Sequence, residues 1–290
     1  MLFRSQGTLY GRNTLAGAVN FVTRKPTGEW GGSATAGFGT FGAQTYKLSL
    51  DLPKAGIASF SLGLASERRD GWVKNTLPGA YQSALNDKDN RAARVSANFA
   101  FSDTFQADYR FDYTKTNQAS QHSQLSRVFL PFLTSFVVSG QRAESAALNG
   151  QTFERLDMQG HSLTFTWDLN DDTQLKAISA YRKMSWDDSL DLDGSPLPVA
   201  ETQRLSDYKS KSQELQLVGT SGAINYVAGL YWFEDDGFTA NPQTFFFGGF
   251  NFDSRYGFGT RAYSAYGQLD FHASDALTLT AGLRYKIGRA

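Results

Sequence analysis

Few side chains in this 290-residue chain are of the types that carry out chemistry. Its three histidines, His122, His161 and His272, lie far apart, and none has a metal-ligand spacing such as H-x3-H. The Asp-x-Asp-Gly of residues 191–194 resembles the start of a calcium loop, but no Glu follows at the final ligand position. We therefore expect solvated histidines, an exposed acidic loop, no metal and no other cofactor. The sequence also lacks a nucleophile elbow, a credible triad and a cofactor fingerprint, which predicts that the protein is not an enzyme.

Composition narrows the class of protein further. Lys and Arg together number 28, as do Asp and Glu, so the formal net charge is zero and nothing predicts a nucleic-acid partner. The absence of cysteine excludes disulfides and thiolate metal sites. Mean hydropathy is -0.38, and no window approaches about 18 consecutive apolar residues, which excludes membrane helices but not membrane strands. The start, MLFRSQG, has no secretory signal, so we expect either that the protein is not exported or that its beginning is missing.

Apolar and polar residues alternate along most of the chain, which is typical of strands with two different faces. In FQADYRFDYT the apolar residues are Phe105, Ala107, Tyr109, Phe111 and Tyr113, with Asp108, Arg110 and Asp112 on the opposite face. The pattern predicts an all-β, antiparallel protein of about eleven strands, most of them near the length that crosses a bilayer. The predicted strands are 31–38, 44–52, 57–68, 91–101, 104–116, 160–169, 173–187, 211–219, 224–235, 261–272 and 277–287.

The connections between these strands alternate in length. Tight turns such as NDD and TSGA alternate with long connections at 69–90, 117–159, 188–210 and 236–260. Outer-membrane barrels have short turns on one rim and long loops on the other, so this asymmetry favours a barrel over a sandwich. Aromatic residues near strand ends could form an interfacial girdle, although aromatics are also common in any sheet. These aromatics are Trp72, Phe99, Phe101, Phe105, Trp167, Trp186, Trp232 and Phe271.

The opening segment, QGTLYGRNTLAGAVNFVTRKPT, resembles the end of the plug domain of TonB-dependent outer-membrane receptors, where it leads into the first barrel strand. SQELQL, YVAGLYWF and LTLTAGLRY resemble the barrel of the same family. The resemblance implies that residues 1–28 are the C-terminal end of a plug and residues 29–290 the N-terminal half of a barrel. In this family the plug lies inside a transmembrane barrel of about 22 strands. A phosphate-binding loop is the rival interpretation of the glycines, but no strand precedes them and no crossover helix follows.

The resemblance also implies roles for particular residues. Glycines in the opening segment would allow close backbone approach to the barrel wall, where an Arg-Asn pair would supply hydrogen bonds. The expected plug-barrel contacts are Gly7, Gly11, Arg12, Asn13 and Gly17. Aromatic residues of the long loops are candidates for stacking on a substrate, or they pack the loops onto one another. These candidates are Phe129, Phe132, Phe245, Phe247 and Phe250.

The family function implied is active uptake of a scarce nutrient across the outer membrane of a Gram-negative bacterium. A ferric siderophore is the expected cargo, and the TonB-ExbB-ExbD complex would act through a plug segment that is absent from this sequence. About eleven strands cannot close a barrel of this family, and unpaired backbone groups in lipid cost several kcal/mol each, so we expect a fragment. Two alternatives stay open: a passive outer-membrane porin, which would have no plug, and a soluble β-sheet binding protein.

Overall fold

The computed structural model describes residues 23–138 and 140–289, and this part of the chain consists mainly of strands. The strands in chain order are β1 (Gly31–Gly39), β2 (Ala43–Asp51), β3 (Ala58–Arg69), β4 (Val73–Asn75), β5 (Ala84–Leu85), β6 (Lys88–Ala100), β7 (Phe105–Gln118), β8 (Ser145–Ala146), β9 (Phe153–Asn170), β10 (Thr173–Asp191), β11 (Ala200–Ser221), β12 (Ile224–Phe245), β13 (Phe250–Ser274) and β14 (Leu277–Arg289). A 3-10 helix, Pro131–Phe136, lies between β7 and β8. Among the residues described, no helix is long and apolar enough to cross a membrane.

Eleven of these strands form one antiparallel sheet, which confirms the predicted fold class and strand number. Its order is β1-β2-β3-β6-β7-β9-β10-β11-β12-β13-β14, so each strand pairs with its neighbours along the chain. The three short strands form a second sheet in the order β5-β4-β8. The alternation found in the sequence predicts the two faces of the large sheet, because successive side chains of a strand point to opposite faces and separate apolar from polar residues.

The strands grow longer toward the C-terminus, and two predicted connections are wrong for this reason. β11 and β12 have 22 residues each and β13 has 25, well beyond the span of about 9 to 11 residues that crosses a bilayer. Most of 188–210 and of 236–260 is therefore strand, and only 192–199 and 246–249 remain as connections. The extensions escaped detection because polar residues occupy both of their faces, as in AETQRLSDYKSK of β11, which removes the alternating signal.

The two ends of the sheet differ as the connection lengths predict. Turns of two to six residues connect the strands at one end, at 52–57, 101–104, 171–172, 222–223 and 275–276. The other end carries the connections 40–42, 70–87, 119–152, 192–199 and 246–249. We call the second end the long-loop end. The hairpin at 40–42, in the segment FGTFGAQ, is the exception because it is short on this side.

Segments of three connections at the long-loop end fold against one another. We call the described residues of 70–87, 119–152 and 192–199 the cap. Its small apolar core contains Val73, Leu85, Ala119 and Leu148, all nearly inaccessible to solvent. Asn75 joins the first two connections because its side chain donates to the Leu148 carbonyl and accepts from the Leu148 N–H, both at 3.1 Å. The cap is thus an ordered unit with its own core, not a set of independent loops.

The residue register assigns every side chain of the large sheet to one of two faces. We call inner the face that carries Asp51 and Asp108, because residues 24 and 25 contact it. The opposite, outer face of β12 carries only apolar or aromatic residues from Ile224 to Trp232 and becomes charged at Glu234. Five of the predicted girdle aromatics lie on the outer face: Phe99, Phe105, Trp167, Trp232 and Phe271. Trp72 instead packs against the cap core, and Trp186 lies on the inner face.

Candidate functional site

The segment that precedes β1 is held on the inner face by two ion pairs near the short-turn end. The Arg24 guanidinium pairs with Asp51, and the Lys25 ammonium lies 2.7 Å from a carboxylate oxygen of Asp108. Both carboxylates are buried, with 3% and 9% of their residue surface exposed. The side chain of Asn98 donates a further hydrogen bond to Asp108 at 2.9 Å. Acidic side chains of the wall are therefore matched to basic side chains of the segment.

Replacing Lys25 with Gln is expected to lower the free energy of unfolding by about 1 to 2 kcal/mol, because the buried Asp108 carboxylate loses its counter-ion. In the Asp108→Asn background no carboxylate is left unpaired, so replacing Lys25 should lower the free energy of unfolding by less. The double variant should therefore lose less stability than the sum of the losses in the two single variants. The measurement is a double-mutant cycle from urea unfolding in detergent micelles. Strictly additive effects would show that the 2.7 Å pair contributes nothing to anchoring.

The inner face of β10 to β13 carries aromatic side chains toward the long-loop end. The rings of Tyr208 and Phe258 stack at 6.1 Å between centroids, and the Arg204 guanidinium lies 4.7 Å over the Trp186 ring. The register continues this face to Tyr256. We call these four aromatic residues, Trp186, Tyr208, Tyr256 and Phe258, the aromatic wall.

Gly237 on β12 makes room for the wall. A Cβ atom at this position would lie 2.5 Å from the Phe258 ring, so a larger residue would displace that ring. Its partner in the register is Phe258 itself, and the next pair places Phe238 on the outer face opposite Gly257. On β12, Gly237 therefore faces inward and is covered by the Phe258 ring, while the next residue, Phe238, faces outward.

A second group of aromatics lies at the tips of the long-loop end, and we call its members, Phe132, Phe246 and Phe247, the aromatic rim. Phe132 of the 3-10 helix and Phe247 of the β12–β13 turn approach to 6.1 Å between ring centroids. Phe246 and Phe247 both have positive φ, at 49° and 60°, a conformation that costs a non-glycine residue of order 1 kcal/mol or more. Their N–H groups donate to the carbonyls of Val199 and Pro198 at 2.8 and 2.9 Å, which holds the turn against the cap.

All five predicted substrate-loop residues lie at the long-loop end. Phe129 is 88% exposed, and Phe132 and Phe247 contact each other. Phe245 and Phe250 are strand residues and not loop residues, since they end β12 and begin β13. They face each other across the hairpin, and their rings contact Phe252 and Phe246 respectively. Sequence reasoning named Trp186 as a girdle residue and missed the rest of the aromatic wall. Extending the alternation of β13 toward its start would have placed Tyr256 and Phe258 on one face.

The predicted plug-barrel contacts fall outside the described residues. Gly7, Gly11, Arg12, Asn13 and Gly17 all precede residue 23, so their contacts stay a prediction.

The acidic loop at residues 191–194 is not solvated, contrary to the expectation from its sequence. Asp191 and Asp193 are 2% and 7% exposed. Asp191 accepts the N–H of Gly194 at 2.9 Å and that of Gly150 at 3.3 Å, so it joins two connections of the cap. Burial, together with the nearby Asp193 carboxylate, raises the pKa of Asp191 to about 6. In the part of the chain described, no group of three or more His, Cys, Asp or Glu is placed to hold a metal ion.

The histidines occupy three different environments. His122 lies in the cap and is half-buried rather than fully solvated, and this burial lowers its pKa. His161 is on the outer face of β9, with its Nδ1 2.8 Å from the Tyr109 hydroxyl and its ring 4.9 Å from that of Phe111. His272 is exposed near the end of β13 and hydrogen-bonds Asn225 and Thr278, as expected for a strand-end histidine.

Comparison with known proteins identifies the fold. Residues 123–287 match the family model described as TonB dependent receptor-like, beta-barrel. The ferric yersiniabactin uptake receptor FyuA from Yersinia pestis superposes with a TM-score of 0.80 at 18% identity, over 98% of this chain and 43% of its own. The ferric-catecholate import receptor Fiu from E. coli K12, in its open form, gives 0.70 at 12% identity, covering 97% and 48%. The ferric citrate transporter FecA gives 0.70 at 14% identity, covering 98% and 42%.

These similarities have defined limits. At such identities the structural likeness shows the fold alone, and the chain spans less than half the length of each of these three proteins. No curated protein matches the sequence. The family model covers more than half of the chain, and its residues coincide with the strands that carry the aromatic wall. The chain therefore belongs to the TonB-dependent receptor family and contains part of its β-barrel.

Proposed function

We propose that this chain is part of an outer-membrane receptor for active uptake of a scarce nutrient, with a ferric siderophore as the cargo. The observation that carries the proposal is the arrangement of the inner face, which has aromatic side chains at one end and an anchored basic segment at the other. Residues 1–28 would be the end of a plug and residues 29–290 the N-terminal half of its barrel. FyuA and Fiu, named as uptake and import receptors of ferric compounds, support this choice of function.

The aromatic wall and rim suit the first step, which is capture of the cargo at the long-loop end. Aromatic rings stack on planar or ring-bearing ligands and lose little conformational entropy on doing so. Exposed Phe129, Phe247 and Tyr256 would meet the cargo first, and Phe258 and Tyr208 would hold it on the wall.

The second step, opening of a path, would depend on the plug. In this proposal the early residues Gly7, Gly11, Arg12, Asn13 and Gly17 contact the barrel wall, as the family resemblance implies. The ion pairs of Arg24 and Lys25 then mark where the plug chain leaves the wall to enter β1. A TonB-ExbB-ExbD complex would supply the work through a plug segment outside this sequence.

The anchored segment favours a receptor over a passive porin, the nearest alternative. A chain that crosses the inner face near the short-turn end occupies space that a porin leaves to water. The apolar outer face of β12 likewise favours a membrane protein over a soluble binding protein, which would expose these residues to water.

The test measures binding of ferric complexes to the purified chain. Quenching of tryptophan fluorescence reports the binding, since Trp186 belongs to the wall. A panel of ferric catecholate, ferric hydroxamate and ferric citrate would serve as ligands. We expect Phe258→Ala and Phe247→Ala each to weaken binding of the preferred complex about 3- to 10-fold, the worth of one aromatic contact.

Phe238→Ala is the matched control, because Phe238 is as exposed as Phe258 but lies on the outer face. It should leave binding unchanged. An equal loss in Phe238→Ala, or no binding of any ferric complex by the unmodified chain, would contradict the proposed site.

A further inference from the structure

Three arginines lie close together on the inner face, between the aromatic wall and the acidic residues that hold the basic segment. Arg94 of β6 is directly opposite Asp112 of β7, and Arg110 of β7 is opposite Ser96 of β6. Arg182 of β10 reaches over β9 to Asp112, with 3.4 Å between its Nη2 and the carboxylate oxygen. We call Arg94, Arg110 and Arg182 the arginine cluster.

The cluster has more positive charge than the sheet neutralises. Arg182 pairs with Asp112, but Arg94 and Arg110 form no ion pair within 4 Å with any residue of the described chain. The two are diagonal neighbours, about 7 to 8 Å apart by sheet geometry, where like charges repel. Two unneutralised guanidinium groups on one face attract an anion.

Small residues surround the cluster and leave space above it. Gly160 of β9 lies beneath the Asp112–Arg182 pair, where a Cβ atom would be 2.5 Å from Asp112 and 2.9 Å from Arg182. Gly63 of β3 lets the Arg94 side chain lie across it at 3.7 Å. The other neighbours in these two rows of the register are small: Ser61, Ser96, Ser162 and Ala180. The guanidinium groups are therefore accessible from the inner side.

The N-terminal segment of this chain is not a suitable occupant. Residues 1–28 contain four basic residues, Arg4, Arg12, Arg24 and Lys25, and no acidic residue. Its two described basic side chains bind Asp51 and Asp108, which are acidic. The described basic side chains of the segment are therefore paired with acidic residues, and a segment without acidic residues cannot neutralise the arginine cluster.

We propose that the arginine cluster is a binding site for an anionic small molecule with carboxylate or phosphate groups, located on the inner face below the aromatic wall. The proposal rests on the proposed function only in that this face would line the path of the cargo. Guanidinium forks bind carboxylate and phosphate oxygens in pairs, which gives the site both charge and geometry. Asp112 orients Arg182 and limits the net charge to about two.

The test measures binding of citrate and of pyrophosphate to the purified full chain by equilibrium dialysis at low ionic strength. The double variant Arg94→Gln/Arg110→Gln should bind the preferred anion at least about tenfold more weakly, since each lost charged hydrogen bond is worth about that factor. Raising the salt concentration should weaken binding to the unmodified chain and have little effect on the variant.

Arg91→Gln is the matched control, because Arg91 lies on the same strand but on the outer face, opposite Lys115. It should bind the anion as the unmodified chain does. The variant Arg94→Lys/Arg110→Lys keeps the charge and should bind at an intermediate level, which distinguishes a lost site from a misfolded protein. Absence of binding to the unmodified chain, or equal loss in Arg91→Gln, would overturn the proposal. The probes contain no iron, and their binding to the arginine cluster does not require Phe247 or Phe258. This result is therefore independent of the test of ferric-complex binding.

Discussion

Replacing Leu230 with Arg is expected to lower the free energy of unfolding in a lipid bilayer by about 2 to 4 kcal/mol. Leu230 lies on the outer face of β12, is 60% exposed in this sheet, and is opposite Leu215 and Ala265. An arginine there would place its charge in hydrocarbon, where water cannot solvate it. The measurement is the urea midpoint of unfolding in phospholipid vesicles, made on a receptor in which this sheet is part of a closed barrel, because open sheet edges are unstable in lipid.

Val227→Arg is the control, since Val227 is on the same strand but on the inner face, opposite Val218 and Gln268. Its cost should stay below about 1 kcal/mol, because a polar barrel interior tolerates charge. If the two variants cost the same, the assignment of inner and outer faces is wrong. A neutral effect of Leu230→Arg would in addition favour a soluble protein.

The cap is expected to become more resistant to opening as the pH falls from 7.5 to 4.5, by about 2 kcal/mol from Asp191 alone. Asp191 lies at the long-loop end, outside the apolar band, and burial raises its pKa from 3.8 to about 6. A raised pKa means that the folded cap binds a proton more tightly than the unfolded chain does. The stabilisation is therefore complete below pH 3.8 and is lost as the pH rises through about 6.

Hydrogen exchange at 147–152 and 192–199, corrected for the intrinsic effect of pH, would measure this change. Asp191→Asn should remove the part of the pH dependence that belongs to Asp191, whatever its effect on stability. Burial also lowers the pKa of His122, and this contribution is lost as the pH falls, so it opposes that of Asp191. His122→Gln should consequently enlarge the gain at low pH. Exchange that is faster at pH 4.5 in the unmodified chain would contradict the prediction.

The contrast between β7 and β11 shows how far sequence reasoning reaches. The alternation from Phe105 to Tyr113 determines that β7 is a strand and which residues share a face, because one face is apolar and the other polar. The first half of β11 has polar residues on both faces, since water or polar neighbours meet both sides beyond the apolar band. This half of β11 is a strand because it pairs with β12, and the pairing produces no alternating pattern in its own sequence.

The sequence by itself determined the fold class, the eleven strands of the large sheet and the side of the sheet that carries the long connections, all of which depend on local periodicity and turn residues. Only the tertiary structure decided which distant side chains meet. Phe132 contacts Phe247, Asp191 is buried against Gly150, and Arg182 reaches Asp112 across an intervening strand. Such contacts depend on strand register and on the folding of the cap, and these are set by packing between segments that are far apart in the chain.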